Sequence, residues 1–293
     1  MYDIKALYQA NTVAEAVALR QEHPQAVLIA GGSDVLIKMR EGKLAGVELI
    51  SIQGLDDLRG VTLEADGAIR IGSLTSFSHI TRDPIIQKHL YVLGRAVDQV
   101  GGPQIRNIGT IGGNTCNGVT SADSASTLFA YDAVIELTGP EGVRRVPIQD
   151  FYIKAGRVDV REGELQTGIL ISRESYENTW GHYIKYAMRN AMDIATLGTS
   201  VNVRLSPDKK TVERARVAFG VAGPIPMRAE TAEKLAAGKA VSHELAQEFA
   251  QAVKADINPR DSWRAAKDFR LHIAVESARR AFEQAVLLAG GEL

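Results

Sequence analysis

The apolar residues change period several times within the first 52 positions. Thr12, followed three residues later by Glu15, forms a capping-box pattern. Val13, Ala16, Val17 and Leu19 then recur at helical spacing, so a helix is expected there, ending before Pro24. Residues 26–30 (AVLIA) are continuously apolar, which predicts a short strand covered on both faces. The chain runs straight on into Gly31-Gly32-Ser33-Asp34. Ser33 or Asp34 can cap a second helix through Val35, Leu36 and Met39 to near Gly42. Residues 48–52 predict another buried strand, completing a β–α–β unit.

Residues 61–71 (VTLEADGAIRI) alternate on either side of Asp66-Gly67, a strong hairpin signal. Helices are expected near 76–81 and from 84 to 100. A polar, glycine-rich passage from Gly101 to Asp123 is expected to interrupt regular structure. Asp123 and Ser124 can start a helix through Tyr131, residues 134–137 and 143–146 form a hairpin, and residues 165–171 read as a strand. Beyond Glu174 the extended segments 183–188, 196–205 and 212–221 suggest an antiparallel sheet, followed by helices at 229–237, 243–255 and 264–288. Strands followed by a block of helices indicate a separate α+β domain. The expected division is therefore 1–175 (subdomains about 1–55 and 56–175) and 180–293, with the boundary in the polar segment between Arg173 and Trp180.

A chain of 293 residues is long enough for two such domains. Its formal net charge is −1, with no basic run beyond Lys209-Lys210, so no electrostatic footprint for nucleic acid is visible. The start lacks the pattern of a secretory signal, and no apolar run approaches the roughly 20 residues that span a bilayer. A cytoplasmic protein without a membrane partner is expected. Cys116 is the only cysteine, so this chain alone supplies no disulfide, zinc–thiolate site or iron–sulfur cluster. Redox chemistry here would need an organic cofactor, or metals held by another chain.

Two glycine-rich loops carry the candidate chemistry. The first spans Leu28, Ile29, Ala30, Gly31, Gly32, Ser33, Asp34 and Val35. A strand delivers adjacent glycines and small polar residues to a helix start, which suits a phosphate group. A tight β–α turn needing glycine for sterics alone would read the same way. The second loop, residues 101–118, holds six of the 27 glycines. Thr110, Asn114, Thr115 and Asn117 add neutral hydrogen-bonding groups beside the glycine backbone, which fits a diphosphate and polyol. Long loops without secondary structure are usually functional. Neither loop matches G-x-G-x-x-G, and no P-loop, H-E-x-x-H or G-x-S-x-G motif exists. The six histidines are scattered.

Residues 185–195 (KYAMRNAMDIA) form a third cluster. Lys185, Arg189 and Asp193 would make a charged stripe on a helix; in an extended segment Lys185, Ala187 and Arg189 share a face. The cluster reads either as an interdomain salt-bridge network or as a lysine placed over a flavin ring. Cys116 has no histidine nearby in sequence and reads as packing beside a cofactor.

The ordered motifs LIAGGSDVLI, IRIGSLTSF, GPQIRNIGTIGGNTCNGVTSADSASTL and KYAMRNAMDIA resemble the FAD-binding subunits of molybdenum hydroxylases, most nearly the bacterial xanthine dehydrogenase branch. The resemblance covers nearly the whole chain. It implies a fold like that of vanillyl-alcohol oxidase and p-cresol methylhydroxylase: two α/β subdomains clasping FAD, then a small domain with an antiparallel sheet and helices. It implies that residues 28–35 line the pyrophosphate and neighbouring groups, with Leu74 and Gly101 also at the cofactor. Gly109, Thr110, Gly112, Gly113 and Asn114 would form the opposing loop, with Cys116 beside it. Asp123 would hydrogen-bond a cofactor hydroxyl, Leu165 or Gln166 would pack by the isoalloxazine, and Lys185 would lie near the flavin. Gly32 stands where some relatives carry asparagine, and no cysteine-bearing insertion like that of the benzoyl-CoA reductase branch is present.

The resemblance further implies an oxidoreductase subunit without catalytic residues of its own. Substrate would be hydroxylated at a molybdenum cofactor on a large partner subunit. Electrons would pass through two [2Fe–2S] clusters of a small partner subunit to FAD, and on to NAD or another acceptor. A self-contained flavin oxidase or reductase and a non-enzymatic nucleotide-binding scaffold are the alternative readings. Gly112→Val is expected to abolish FAD retention, measured by flavin absorbance, while leaving the fold largely intact.

Overall fold

The computed structural model describes residues 2–293. It opens with β1 (Ile4–Gln9), α1 (Val13–Glu22), β2 (Val27–Ile29), α2 (Val35–Arg40) and β3 (Val47–Ser51). The three strands form a parallel sheet in the order β1-β3-β2. Thr12 caps α1, its hydroxyl accepting from Glu15 N at 3.1 Å, and the Glu15 carboxylate reaches back to Asn11 N at 2.8 Å. The central strand is β3, where Leu49, Ile50 and Ser51 are buried. The apolar run at 26–30, read as covered on both faces, is instead an edge strand whose residues are half-buried. Its apolar side chains face a cleft as well as the core. The opposite edge, β1, was not expected at all: its residues are exposed or half-buried and carry no strong apolar period.

The chain continues through β4 (Val61–Leu63), β5 (Ile69–Gly72), α3 (Phe77–Arg82), α4 (Pro84–His89), α5 (Tyr91–Val97), α6 (Pro103–Ile108), α7 (Ile111–Cys116), α8 (Asp123–Ala130), β6 (Val134–Gly139), β7 (Gly142–Pro147), α9 (Ile148–Phe151), β8 (Tyr152–Lys154), β9 (Arg157–Val158) and β10 (Leu165–Ile171). Five strands make an antiparallel sheet, β4-β5-β10-β6-β7. The helix expected over 84–100 breaks at Leu90, which leaves helical geometry at φ −131° and divides α4 from α5. The passage expected to be irregular contains two six-residue helices. Pro103 opens α6, and the Thr110 hydroxyl accepts from Gly113 N at 3.1 Å to cap α7. Such caps satisfy orphan backbone groups in helices that glycine would otherwise disfavour.

After α10 (Arg173–Tyr176), strands β11 (Trp180–Tyr186), β12 (Leu197–Leu205), β13 (Val212–Gly220) and β14 (Met227–Arg228) form a second antiparallel sheet in chain order. Helices α11 (Glu230–Ala236), α12 (His243–Ala252) and α13 (Lys267–Leu288) complete the chain, with α13 packed on β11 and β12. On the same sheet β12 and β13 contact α8, all eight of whose residues are buried. The helical core centres on Phe249 and Phe282, whose rings lie 4.6 Å apart and are fully buried. Phe282→Ala is expected to cost about 3–5 kcal/mol, measured by urea unfolding.

Candidate functional site

The two glycine loops meet backbone to backbone. A Cβ on Gly31 would lie 1.8 Å from the Ile108 carbonyl oxygen, so the loop after β2 sits against the end of α6 only because Gly31 has no side chain. Gly112 is held as tightly: a Cβ there would come within 2.6 Å of the Ser73 Cβ and 2.7 Å of its carbonyl oxygen. The bond from Gly112 N to Ser73 O, at 2.9 Å, fixes α7 against the end of β5. Gly32 differs in kind, because its φ of +69° is one that side-chain-bearing residues rarely adopt. Glycine is therefore needed at Gly31 and Gly112 for the close approach of backbones, and at Gly32 for chain direction.

That approach leaves a cavity of about 430 Å³ between the loops, within the usual range for a ligand site. Its walls include Leu28, Ala30, Gly31, Gly32, Ser33, Asp34 and Val35 from the first loop. Gly109, Thr110, Gly112, Gly113, Asn114 and Cys116 come from the second, and Leu74, Leu165 and Gln166 from the ends of the five-stranded sheet. Four expected residues lie outside the lining: Ile29, Gly101, Asp123 and Lys185. Ile29 belongs to the ladder of β2, paired with Ser51. Gly101 sits at the turn into α6 with φ +47°.

Asp123 and Lys185 form a buried ion pair at 2.8 Å, each side chain 7% exposed. The second carboxylate oxygen of Asp123 accepts from the Tyr183 hydroxyl at 2.8 Å, and Lys185 Nζ also donates to Gln99 O at 2.9 Å. This network joins β11 to the start of α8 and to the residue before Val100, which lines the cavity. Burial raises the Asp123 carboxyl above its ordinary value, against the opposing pull of Lys185 and Tyr183. Arg189 takes no part: β11 ends at Tyr186, and Arg189 bonds Asp193 in the exposed turn that follows.

Six wall residues escaped the sequence reading: Lys38, Ile52, Ser73, Phe77, Val100 and Ile105. Lys38 had a signal, standing four residues after Asp34 on α2. It pairs with Asp34 at 2.5 Å and donates to Asn117 at 3.1 Å, bridging the two loops. Asp34 accordingly makes no side-chain cap to α2, nor does any other residue. The apolar four look like ordinary core residues in sequence, and only the folding of the chain turns them toward the cavity.

The chemistry of the walls suits a large, polar, ring-bearing ligand. Glycine backbone, hydroxyls and amides line one part, while Leu28, Leu74, Leu165 and Ile52 supply apolar surface. Ser73 Oγ and Gln166 Nε2 are buried atoms with no hydrogen-bond partner among the described residues. Leaving such groups unpaired costs about 1–3 kcal/mol each, so a ligand that pairs with them would recover that energy. FAD, with a pyrophosphate, a polyol and a heteroaromatic edge, fits these residues. Cys116 bonds Gln166 Oε1 at 3.1 Å, and burial pushes its thiol up to about 12, so it stays protonated and is no nucleophile at neutral pH.

Two expectations follow for variants. The Gly112 contacts show that Gly112→Val cannot leave the fold untouched, correcting the expectation from sequence: α7 must move off β5. Overpacking of this kind costs about 1–3 kcal/mol, and both the melting temperature and bound flavin are expected to fall. Lys185→Met leaves Asp123 buried without its cation, at a cost of about 3–5 kcal/mol near neutral pH. In that variant the folded-state pKa of Asp123 rises further above the unfolded one. The deficit is therefore full above the folded pKa and shrinks as pH falls through it. Urea titrations from about pH 7.5 to about pH 5 check this; a deficit independent of pH would place the cost elsewhere.

Comparison with known proteins matches two family descriptions, one after the other along the chain. Residues 2–172 match the family described as the FAD binding domain in molybdopterin dehydrogenase, and residues 182–285 match the CO dehydrogenase flavoprotein C-terminal domain. The putative xanthine dehydrogenase FAD-binding subunit of Escherichia coli K12 is 41% identical over 293 residues, the whole of both chains. The carbon monoxide dehydrogenase medium chain of Hydrogenophaga pseudoflava is 31% identical over 276 residues, 94% of each. The solved carbon monoxide dehydrogenase of that organism superposes with a TM-score of 0.91, covering 99% of both chains at 30% identity. With the glycine-walled cavity and its fold thus matched end to end, the chain belongs to the FAD-binding subunits of the molybdenum hydroxylase family, oxidoreductase subunits with a FAD-binding domain followed by a carboxy-terminal sheet-and-helix domain.

Proposed function

We propose that this chain is the electron-transferring subunit of a xanthine- or purine-directed dehydrogenase, holding FAD in the cavity between the two glycine loops. The observation that carries the reading is that cavity, walled by backbone at Gly31, Gly32, Gly109, Gly112 and Gly113 and containing two buried polar groups without partners. Bound FAD would take up electron pairs and release them to a second acceptor. The chain's own part is to bind, orient and shield. The glycine backbones and Thr110 and Asn114 hydroxyl and amide groups are suited to the pyrophosphate, and Lys38 supplies a cation at the mouth of both loops. Leu74 and Leu165 exclude water from the ring. Asp123 and Lys185 hold β11 against the loop that ends at Val100.

The partners in this reading are a large subunit carrying the molybdenum cofactor and a small subunit carrying [2Fe–2S] clusters. A single cysteine supplies no cluster ligand set in this chain. No group of three or more His, Cys, Asp or Glu among the described residues is placed to hold a metal ion. NAD is the proposed final acceptor, and the purine substrate class rests on the E. coli relative's name. The same reading takes residues 1–175 as the FAD-binding domain and 180–293 as the second domain. In support, one apolar cluster draws only on residues from Ile184 onward. Among the described residues no helix is long and apolar enough to cross a membrane; a cytoplasmic location is proposed with the function.

The purified full chain is expected to be yellow, to bleach with dithionite, and to release FAD identified by chromatography. The native complex is expected to contain molybdenum and iron and to reduce NAD with a purine substrate. A colourless chain that takes up no added FAD would remove the flavin assignment of the cavity. A homomer active without metal-bearing partners would favour a self-contained flavoenzyme.

A further inference from the structure

Gln166 occupies a position where sequence alone predicts only packing. It is 4% exposed, the second residue of β10, and it lines the cavity. Two groups of α7 converge on its Oε1: the Thr115 hydroxyl at 2.7 Å and the Cys116 thiol at 3.1 Å. The Thr115 hydroxyl also lies 3.1 Å from both Ile111 O and Gly112 O, and the shorter 2.7 Å contact directs its single proton to the Gln166 amide oxygen. Cys116, protonated by its surroundings, donates to the same oxygen. The amide oxygen is thereby held, and Nε2 is left buried without a partner in a residue that lines the cavity.

Ser73 stands beside it. Ser73, the residue after β5, also lines the cavity, and its N donates at 3.2 Å to the carbonyl of Thr167, the residue after Gln166. The Ser73 hydroxyl is likewise buried and unpaired. Two unpaired donors on residues lining one cavity match a ring edge with adjacent acceptors. The pyrimidine edge of isoalloxazine has such pairs, a carbonyl oxygen beside a ring nitrogen. The exposed edge of adenine instead sets an acceptor next to an amine donor.

We propose that Gln166 is a redox-tuning residue: its Nε2 donates a hydrogen bond to the isoalloxazine edge, with Ser73 as the second donor and Thr115 and Cys116 as the positioning residues that aim it. The proposal rests on FAD occupying this cavity. The reduced ring carries more electron density at its acceptors than the oxidised ring, so a fixed donor favours the reduced form. Orientation matters as much as presence, because an unpinned amide could rotate its oxygen toward the ring and reverse the effect.

The test compares full-length, FAD-loaded wild type with Gln166→Leu, Gln166→Glu and Cys116→Ala, reading midpoint potential, FAD affinity and melting temperature. Gln166→Leu is expected to lower the reduced-to-oxidised affinity ratio about tenfold, some 30 mV for a two-electron couple. Gln166→Glu keeps the shape and the Thr115 bond but turns an acceptor toward the ring, and is expected to lower the ratio further. Cys116→Ala shifts it the same way by less. Should Gln166→Leu fold poorly, the near-isosteric Gln166→Glu carries the test. Wild-type potential in a Gln166 variant that retains FAD would overturn the proposal. So would equal weakening of oxidised and reduced FAD, which points to packing or to the adenine end. A wild-type chain that binds no FAD at all would instead overturn the assignment of the cavity.

Discussion

The site depends on one close approach, that of the Gly31 backbone to the Ile108 carbonyl. The three-stranded sheet carries the first loop, and the five-stranded sheet with its helices carries the second. No side chain can be interposed where the two touch, so peptide groups form the wall of the cavity there. Backbone walls serve a phosphate-bearing ligand well, because N–H groups are fixed by the fold and require no side-chain ordering on binding.

Around this contact the protein places groups of different stiffness. Gly112 locks α7 to β5, and α7 in turn presents Thr115 and Cys116 to Gln166. The chain of constraints therefore runs from a glycine, through a six-residue helix, to the orientation of one amide. At the opposite side, Lys38 links the loops through Asp34 and Asn117 by partly exposed contacts. Surface ion pairs of this sort are worth little to stability, which leaves Lys38 free to exchange partners when an anion arrives. The rigid donors sit deep and the adaptable cation sits at the rim.

The carboxy-terminal sheet contributes by bracing. Asn202 Nδ2 donates to Ala130 O at 3.2 Å, Tyr183 and Lys185 both hold Asp123, and Tyr91 exchanges hydrogen bonds with the Gly181 backbone. These contacts pair most of the polar groups they bury, Asn202 Oδ1 excepted, and fix α5 and α8 in place. A helix buried on every residue, as α8 is, is covered here by the second sheet on one side and by α5, α7 and α9 on others. The second sheet thus belongs to the architecture of the site even though none of its residues lines the cavity.

Local signals in the sequence determined a good deal. The capping box at Thr12, the Asp66-Gly67 turn, the extended segments of the second sheet and the helical spacing near the carboxy terminus all act within a few residues, and these elements formed within a few residues of the expected bounds. The glycine density and the single cysteine bounded the ligand class and excluded metal clusters from this chain. What tertiary structure alone decided were matters of which surfaces meet. Residues 26–30 are apolar because β2 borders a ligand cavity as well as a core, which periodicity cannot tell apart. Gly31 and Gly112 are small because of carbonyls and side chains 77 and 39 positions away in sequence (at Ile108 and Ser73), not because of their own turns. Gln166 looks like any polar residue in a strand until α7 brings Thr115 and Cys116 to its oxygen. Short-range pattern specifies elements, whereas the chemistry of a site arises from contacts between segments far apart in the chain, whose geometry exists only once the elements have packed.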